Sequence, residues 1–330
     1  MKLSSSPHLL AISSFWAAAF CLSASAATIQ DTYPSRPVTL IVPFGPGSGT
    51  DIAARILAKG MSEQLNVPVI VDNKAGANGA IGAQAAAKAK ADGYTLVIGS
   101  ATTHAVNFGF FPSKIGYEPE QFQGVAGLSF NPISLYVNAN SSWKNLSELV
   151  ADAKRNPGKF SCGSGNAVTQ VACEVFHHQA GIQAINIPYK SNPQSLTDVA
   201  GNQLSYAFSD GGAARSLVEG KRLLPLAVAA VARNAAMPDV ATFREQGMSS
   251  FEFTAWVAVF APAGVPVSVV EQLHAAVRKA AETPEMVQLT NKSGGTVMRF
   301  NSAAETQAFY KAEVTRWSKY VKDSGVKLEQ

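Results

Sequence analysis

The chain has 330 residues, of which 47% are apolar and 15% are charged, and its formal charge is +4 at pH 7. This composition provides a large hydrophobic core and excludes a disordered chain, which needs few apolar residues and a high net charge. The Lys and Arg residues are scattered and form no basic run, so the sequence argues against nucleic acid as a partner.

The N-terminal 26 residues have the three-part layout of a secretory signal peptide. Lys2 is followed by a largely apolar stretch over residues 9–22 and then by the small residues Ala24, Ser25 and Ala26. This pattern predicts cleavage near Ala26 and export to the periplasm. The apolar stretch is short for a membrane span, although an N-terminal anchor remains the alternative.

Two cysteines, Cys162 and Cys173, remain in the predicted mature chain. An exported protein meets an oxidising compartment, which permits a structural disulfide between them. The sequence leaves this pairing open, because the geometry of the two residues cannot be deduced from their spacing.

Hydrophobic runs and breakers predict an alternating order of strands and helices in two halves of the chain. In the first half, strands at 38–42, 69–71 and 94–98 flank helices at 51–65 and up to about 90. In the second half, strands at 159–162, 184–187 and 204–208 flank helices at 169–180 and 194–200. Each half is a predicted βαβαβ unit, which forms a parallel sheet covered by helices on both faces.

Two extended apolar runs, at 127–138 and 251–260, predict that the chain crosses twice between these units. The predicted fold class is therefore α/β with two lobes and two hinge crossings. Lobe 1 is expected to contain residues 27–130 and 251–330, and lobe 2 to contain residues 131–250. A cleft between the lobes follows from this arrangement.

The region after the second crossing carries two predicted helix starts and one apolar stripe. Ser268 with Glu271, and Ser302 with Glu305, fit the spacing of capping boxes. The last helix places an apolar stripe on one face, which predicts packing against lobe 1. The stripe consists of Tyr310, Val314, Trp317 and Val321.

The loop at 44–51, with the sequence Phe-Gly-Pro-Gly-Ser-Gly-Thr-Asp, is the first candidate binding site. Its glycines permit a tight turn, and the following helix start offers unpaired N–H groups and the positive end of the helix dipole. These features favour an anion site, with Ser48 and Thr50 as added hydroxyls. An ordinary tight turn with a helix cap is the alternative.

The loop at 163–169 has the same chemistry in the second half, with Ser164, Asn166 and Thr169 as polar side chains. Residues 100–104 and Asp210 follow other predicted strands. Ligands of open α/β sheets lie beyond the carboxyl ends of the strands, so the sequence predicts that these loops face one site. His104 is either a ligand contact or part of a hydrogen-bonding wall, and Asp210 either binds a hydroxyl or ammonium group or caps a helix.

Two competing interpretations are weaker. Cys173 with His177, and Glu174 with His178, have a helical spacing that suits metal ligands, but no second cluster accompanies them. The glycines at 45, 47 and 49 resemble a dinucleotide loop, which makes a secreted nucleotide-dependent oxidoreductase the alternative function. Their spacing is G-x-G-x-G instead of G-x-G-x-x-G, and no other hydrolase or nucleotide motif is present.

Several motifs resemble the Bug family, the extracytoplasmic receptors of tripartite tricarboxylate transporters. Tyr-Pro-Ser-Arg-Pro at 33–37 and Ile-Val-Pro-Phe-Gly-Pro-Gly-Ser-Gly-Thr-Asp at 41–51 are similar to the opening of that family. The similarity continues through residues 71–79, 92–96, 103–104, 157–159, 188–190, 237–240 and 261–264. Ser48 departs from the family pattern, which has a second Gly there, and 208–210 reads Phe-Ser-Asp where Phe-Asp is usual.

This resemblance implies a Venus-flytrap fold of the periplasmic binding protein type and a non-enzymatic receptor with no cofactor and no metal. It implies capture of a small carboxylate, such as an amino acid, a di- or tricarboxylate or an aromatic acid, and delivery to a membrane permease by a monomeric protein. The residues expected to bind the ligand lie in the loops described above, and Tyr189 of the 188–190 motif completes the walls. They are Phe44, Gly47, Ser48, Gly49, Thr50, Thr102, Thr103, His104, Ser164, Gly165, Asn166, Thr169, Tyr189 and Asp210.

Overall fold

The structure is a computed structural model that describes residues 33–110 and 115–323. The predicted signal peptide and its cleavage site lie outside these residues. Within the two described ranges, no helix combines the length and the hydropathy needed to cross a membrane.

The described chain alternates between strands and helices. The strands are β1 (Val38–Val42), β2 (Val69–Asn73), β3 (Thr95–Ser100), β4 (Phe122–Asn138), β5 (Phe160–Ser164), β6 (Ala184–Pro188), β7 (Tyr206–Asp210), β8 (Leu223–Val228), β9 (Thr254–Pro262) and β10 (Thr296–Val297). The helices are α1 (Gly49–Leu65), α2 (Ala80–Ala87), α3 (Asn107–Phe110), α4 (Leu146–Arg155), α5 (Ala167–Ala180), α6 (Asn192–Ala200), α7 (Gly211–Glu219), α8 (Val267–Ala281), α9 (Pro284–Lys292) and α10 (Ala303–Asp323). A single π-helical turn, Thr102–Val106, directly precedes α3.

The two predicted βαβαβ units are confirmed. In the first, β1 lies between β2 and β3, and all three strands are parallel. In the second, β5 lies between β6 and β7 with the same parallel arrangement. The units belong to one continuous sheet with the order β2-β1-β3-β9-β4-β7-β5-β6, to which β8 and β10 add along β4.

Strand β4 joins the two units, because it is long enough to pair with both. Residues 122–132 of β4 pair with β9, whereas residues 133–138 pair with β7 and β8. All of these pairings are antiparallel, and β3 also pairs antiparallel with β9. Strand β3 therefore runs parallel to β4, whereas β7 runs in the opposite direction. The two-lobed, mixed α/β fold predicted from the sequence is confirmed by this arrangement and by the comparisons below.

The pairing register places the carboxyl ends of the two units opposite each other. Ser100, the last residue of β3, pairs with Val257, which in turn pairs with Ser129 of β4. Asp210, the last residue of β7, pairs with Ile133 of β4. The two ends are therefore four residues apart along β4, or roughly 13 Å at the rise of a strand. The loops that follow both sets of strands converge on this central part of β4.

The last helix packs as its apolar stripe predicts. Tyr310, Trp317 and Val321 are buried in the main hydrophobic core, and Val314 is partly buried against it. Glu313 lies beside this stripe, where its carboxylate accepts hydrogen bonds from the indole N–H groups of Trp256 and Trp317.

One of the two predicted capping boxes is wrong. Helix α8 begins at Val267 after Pro266, and no side chain caps it, so Ser268 already lies inside the first turn. Pro266 has no side-chain acceptor, and its carbonyl accepts from the N–H groups of Val269 and Val270. At α10, the Ser302 hydroxyl accepts from the Glu305 N–H, as expected for an N-cap.

The described residues from Pro34 onward form one compact unit. The predicted division into residues 27–130 with 251–330 and residues 131–250 therefore stays a prediction. It is compatible with the exchange of partners along β4 between residues 132 and 133.

Candidate functional site

The buried carboxylate of Asp51, which the sequence analysis did not single out, fixes the conformation of the first loop. Asp51, in the first turn of α1, is 3% exposed and accepts a hydrogen bond from the Gly47 N–H at 2.9 Å. It also accepts from Arg55 at 3.0 and 3.1 Å and from the Asn73 amide at 2.9 Å. Burial disfavours the charged form, but the hydrogen bonds from Arg55, Gly47 and Asn73 outweigh it and hold the pKa of Asp51 below its usual value.

The Ser48 side chain completes this arrangement. Its hydroxyl accepts from the Asp51 N–H at 3.2 Å and so caps α1. The motif is a variant of the capping box, in which the acid three positions after the cap reaches the residue before the cap. The S-x-x-D spacing at 48–51 was the sequence signal for this role of Asp51.

The main-chain donors left open in the first turn of α1 are those of Gly49 and Thr50, its first two residues. Among the described residues, neither N–H has a hydrogen-bond partner, whereas the N–H groups of Gly47 and Ser48 are both paired. An anion at this loop would therefore meet Gly49 and Thr50 at the positive end of the α1 dipole.

The second loop repeats this design with neutral side chains. The Thr169 hydroxyl accepts from the N–H groups of Gly165 and Asn166 at 3.1 and 3.2 Å, and the Asn166 side chain caps the Thr169 N–H at 3.0 Å. Asn192 of α6 also accepts from the Gly165 N–H at 3.1 Å. The polar side chains that were predicted to contact ligand thus hold the loop in shape.

The donors left open in the second loop are those of Ala167 and Val168, the first two residues of α5. Both residues are buried, and neither N–H has a hydrogen-bond partner in the described part of the chain. Strands β1 and β5, which precede α1 and α5, are parallel to β3 and β7, so the two open pairs of N–H groups lie at the facing edges of the two units. This pair was missed because Ala and Val carry no polar side chain.

The Gly165 backbone is held tightly against α6. A Cβ atom built on Gly165 would lie 2.0 Å from the Asn192 nitrogen and 2.3 Å from the Ser191 carbonyl carbon. Gly47, by contrast, has φ +78° and no atom within 4 Å of its Cβ position. Glycine is therefore required for different reasons at the two positions. At Gly165 it permits the close approach of the α6 backbone, and at Gly47 it permits a positive φ.

The remaining candidates near the first loop are Thr103, Phe44 and Thr102. Thr103 is fully buried, and its hydroxyl is engaged by the Ser100 N–H at 3.0 Å and by His104 Nδ1 at 2.8 Å. The Phe44 ring lies near the Thr103 methyl group, since both approach the Cβ position of Gly79. Thr102 is 4% exposed, and its hydroxyl, like that of Thr50, has no partner among the described residues, so both hydroxyls stay available as donors.

His104 lies in the core instead of on a cleft wall. Its ring is stacked on Phe260 at 4.3 Å between centroids and contacts Phe122 and Tyr310, with no solvent exposure. Burial lowers the pKa of His104 to about 3, so the ring is neutral at physiological pH. Of the two roles left open by the sequence, the buried position and the hydrogen bond to Thr103 fit the hydrogen-bonding support and not the ligand contact.

We expect His104 to make the protein less stable as the pH falls. The unfolded histidine binds a proton below about pH 6.5, whereas folded His104 stays neutral down to about pH 3, so the unfolded state takes up more protons in this window. The unfolding free energy should fall by up to about 1.4 kcal/mol per pH unit from this residue.

Urea denaturation at pH 7.0, 5.5 and 4.5 would measure this effect. The His104→Phe variant keeps an aromatic ring and should show a shallower loss of stability below pH 6.5. Some slope should remain, because burial also lowers the pKa of His177 to about 4. An unchanged slope in the variant would show that His104 is not responsible.

The second-lobe candidates Tyr189 and Asp210 are both engaged. The Tyr189 hydroxyl donates to Asp198 at 2.6 Å, and burial together with this bond raises the pKa of Tyr189 to about 12. The Asp210 carboxylate accepts from the Ala213 N–H at 3.0 Å and caps α7, which is the second of its two predicted roles. Tyr189 can therefore offer only its ring to the cleft, and Asp210 places a negative charge at the end of β7.

The residues of the weaker metal hypothesis have other partners. Cys162 and Cys173 form a disulfide that joins β5 to α5, which resolves the pairing that the sequence left open. The His177 ring contacts the Tyr206 hydroxyl at 2.9 Å, and Glu174 accepts from Asn186 at 3.1 Å. No group of three metal-binding side chains occurs within residues 33–110 and 115–323.

Comparison with known proteins identifies relatives over nearly the whole chain. The family model described as the tripartite tricarboxylate transporter family receptor matches residues 53–326. Protein BugT of Bordetella pertussis is 32% identical over 302 residues, which are 91% of this chain and 92% of that protein.

Two solved structures with bound ligands share the fold. MatC from Rhodopseudomonas palustris with bound malate is 28% identical with a TM-score of 0.80, covering 88% of this chain and 100% of that chain. Rpa4515 from R. palustris with adipate is 29% identical with a TM-score of 0.82, covering 89% and 98%. Together with the two opposed glycine loops, these matches show that the chain belongs to the Bug family of tripartite tricarboxylate transporter receptors.

Proposed function

We propose that this protein is an extracytoplasmic receptor that captures a small carboxylate in the cleft between its two units. The observation that carries the proposal is the pair of open main-chain donors at each of two facing helix N-termini, Gly49 with Thr50 and Ala167 with Val168. A carboxylate has two oxygens that accept such bonds from opposite sides, and both helix dipoles favour its charge.

Several further parts of the proposal rest on the family. The signal-like N-terminus and the relatives support export to the periplasm, and the receptors of this family imply delivery of the ligand to a membrane permease. The ligands of MatC and Rpa4515, malate and adipate, favour a carboxylate for this chain as well. We propose that binding involves no chemical change, since the donors assigned to the ligand are backbone amides and a threonine hydroxyl.

Closure of the cleft would follow from these contacts. A ligand that bridges α1 and α5 binds the closed form better than the open form and therefore shifts the population towards closure. Exclusion of water in the closed form strengthens the hydrogen bonds to the carboxylate. We place Thr50, Thr102 and Phe44 on the wall of lobe 1 and the Tyr189 ring on the wall of lobe 2.

A thermal-shift screen of the mature protein tests this function. The protein is first unfolded and refolded to release bound ligand, and is then mixed with malate, adipate, amino acids, aromatic acids or nicotinamide cofactors. A compound at one hundred times its dissociation constant should stabilise the protein by about 2.7 kcal/mol. For this chain length, the midpoint should rise by roughly 2–4 °C per kcal/mol.

The outcomes separate the two functions left open by the sequence. A shift with one or a few carboxylates and none with cofactors supports the receptor. A shift with cofactors alone contradicts it and favours the oxidoreductase, and a refolded protein that responds to none of the carboxylates also contradicts it.

A further inference from the structure

The disulfide lies at the base of the second binding loop. Cys162 is in β5, two residues before its end, and Cys173 is in the second turn of α5. Both residues have no solvent exposure, and their Cα atoms are 6.0 Å apart. The ten residues that the disulfide encloses, 163–172, contain both open N–H groups that lobe 2 offers to the ligand.

The other contacts of this loop are non-covalent. The hydrogen bonds of Asn166 and Thr169 connect residues within the enclosed segment, so they fix its shape but not its position on the sheet. Two side chains outside the segment also hold it. Asn192, at the start of α6, accepts from the Gly165 N–H and the Thr169 hydroxyl, and Asn186 of β6 accepts from the Ser164 hydroxyl and donates to the Gln170 carbonyl. The disulfide is the covalent link that sets α5 against β5.

Because backbone amides recognise the ligand, the position of the start of α5 affects the affinity. A side chain can adjust its rotamer to a ligand, whereas the Ala167 and Val168 N–H groups move only when the start of α5 moves. The apparent affinity falls in proportion to the fraction of molecules in which both groups are correctly placed. A link that holds α5 on β5 before the ligand arrives lowers the ordering cost of binding.

We propose that the Cys162–Cys173 disulfide positions the start of α5 for ligand binding, in addition to any contribution to stability. This inference rests on the proposed function, because it concerns the same cleft. A disulfide that only restricts the unfolded chain would raise the melting temperature and leave the dissociation constant of the folded protein unchanged. Affinity and stability therefore distinguish the two roles.

The test compares wild-type protein with the Cys162→Ala/Cys173→Ala variant at a temperature at which both are folded. Calorimetric titrations with malate and with adipate should give a dissociation constant about tenfold higher for the variant. Hydrogen exchange of the ligand-free protein should also be faster in the peptide that covers residues 163–172, because its open amides are less fixed. If the alanine variant does not fold, Cys162→Ala/Cys173→Val refills part of the lost volume.

Leu149→Ala is the matched control. Leu149 is fully buried in α4, which follows β4 and lies away from the carboxyl ends of β5 and β7. This variant should lose stability but keep the wild-type dissociation constant and the wild-type exchange of residues 163–172.

The failures of the two proposals are distinguishable. If wild-type protein binds malate or adipate and the cysteine variant binds with the same constant, the positioning role is wrong and the receptor stands. If wild-type protein binds neither, the proposed function loses its support, and the exchange of residues 163–172 still decides whether the disulfide fixes the loop. Unchanged exchange in that peptide contradicts the inference in either case.

Discussion

Replacing Gly49 with proline should weaken carboxylate binding by roughly tenfold to a hundredfold while leaving the fold intact. Gly49 is the first residue of α1, and its N–H is one of the two donors that the first turn of this helix leaves open. Proline removes that N–H and nothing else that the helix uses, since the first residue of a helix has no internal partner for it. A hydrogen bond to a charged group contributes about 1.5–3 kcal/mol, and each 1.4 kcal/mol is a factor of ten.

The local backbone suits this substitution. Ser48 has φ −66° and ψ 157°, which is the extended conformation that a residue before proline prefers. A Cβ atom on Gly49 would have no atom within 4 Å, so a side chain also fits.

Gly49→Ala is the matched control for the proline variant. It adds a side chain in the same open space but keeps the N–H, so its dissociation constant should stay within about threefold of the wild-type value. Calorimetric titration of both variants with the carboxylates that shift the melting temperature gives the comparison. If Gly49→Pro binds as well as Gly49→Ala, the Gly49 amide does not contact the ligand.

Replacing Gly165 with alanine should destabilise the protein by about 3 kcal/mol or more. The new Cβ would lie 2.0 Å from the Asn192 nitrogen and 2.3 Å from the Ser191 carbonyl carbon. Both neighbours belong to the backbone at the start of α6, which cannot move aside as a flexible side chain would. Relief of the clash requires separation of α6 from the loop and loss of the Asn192 hydrogen bond.

Gly47→Ala separates this clash from dihedral strain. At Gly47 the space is open but φ is +78°, so alanine should cost only about 1–2 kcal/mol for the left-handed conformation. Urea denaturation of the two variants measures the difference. Equal losses of stability would show that the contact with α6 is not close enough to matter.

Sequence patterning determined the architecture of this protein. Val38–Val42 is a buried apolar run between breakers, and the structure has a strand with the same bounds. The stripe of Tyr310, Val314, Trp317 and Val321 was identified as core because helical spacing puts these side chains on one face. Such features depend on local order along the chain, which the sequence displays directly.

The sequence also located the loops at 44–51 and 163–169, because glycines between a strand and a helix indicate a tight turn. It named Gly47, Gly49, Thr50 and Gly165 among the binding residues, and the structure shows that the N–H groups of Gly47 and Gly165 are paired within the loops. The open donors are two or three positions further on, at the first turn of each helix.

Only the tertiary structure decided which groups of the candidate site remain available. Asp51 meets Asn73 because β1 and β2 are neighbours in the sheet, and Asn192 meets Gly165 because β5 and β6 are neighbours as well. His104 follows a strand, as a ligand contact would, but the π-helical turn directs its ring between Phe122 and Phe260. A hydrogen bond or a clash depends on residues far apart in the chain, so its presence cannot be deduced from the local pattern that predicts the loop.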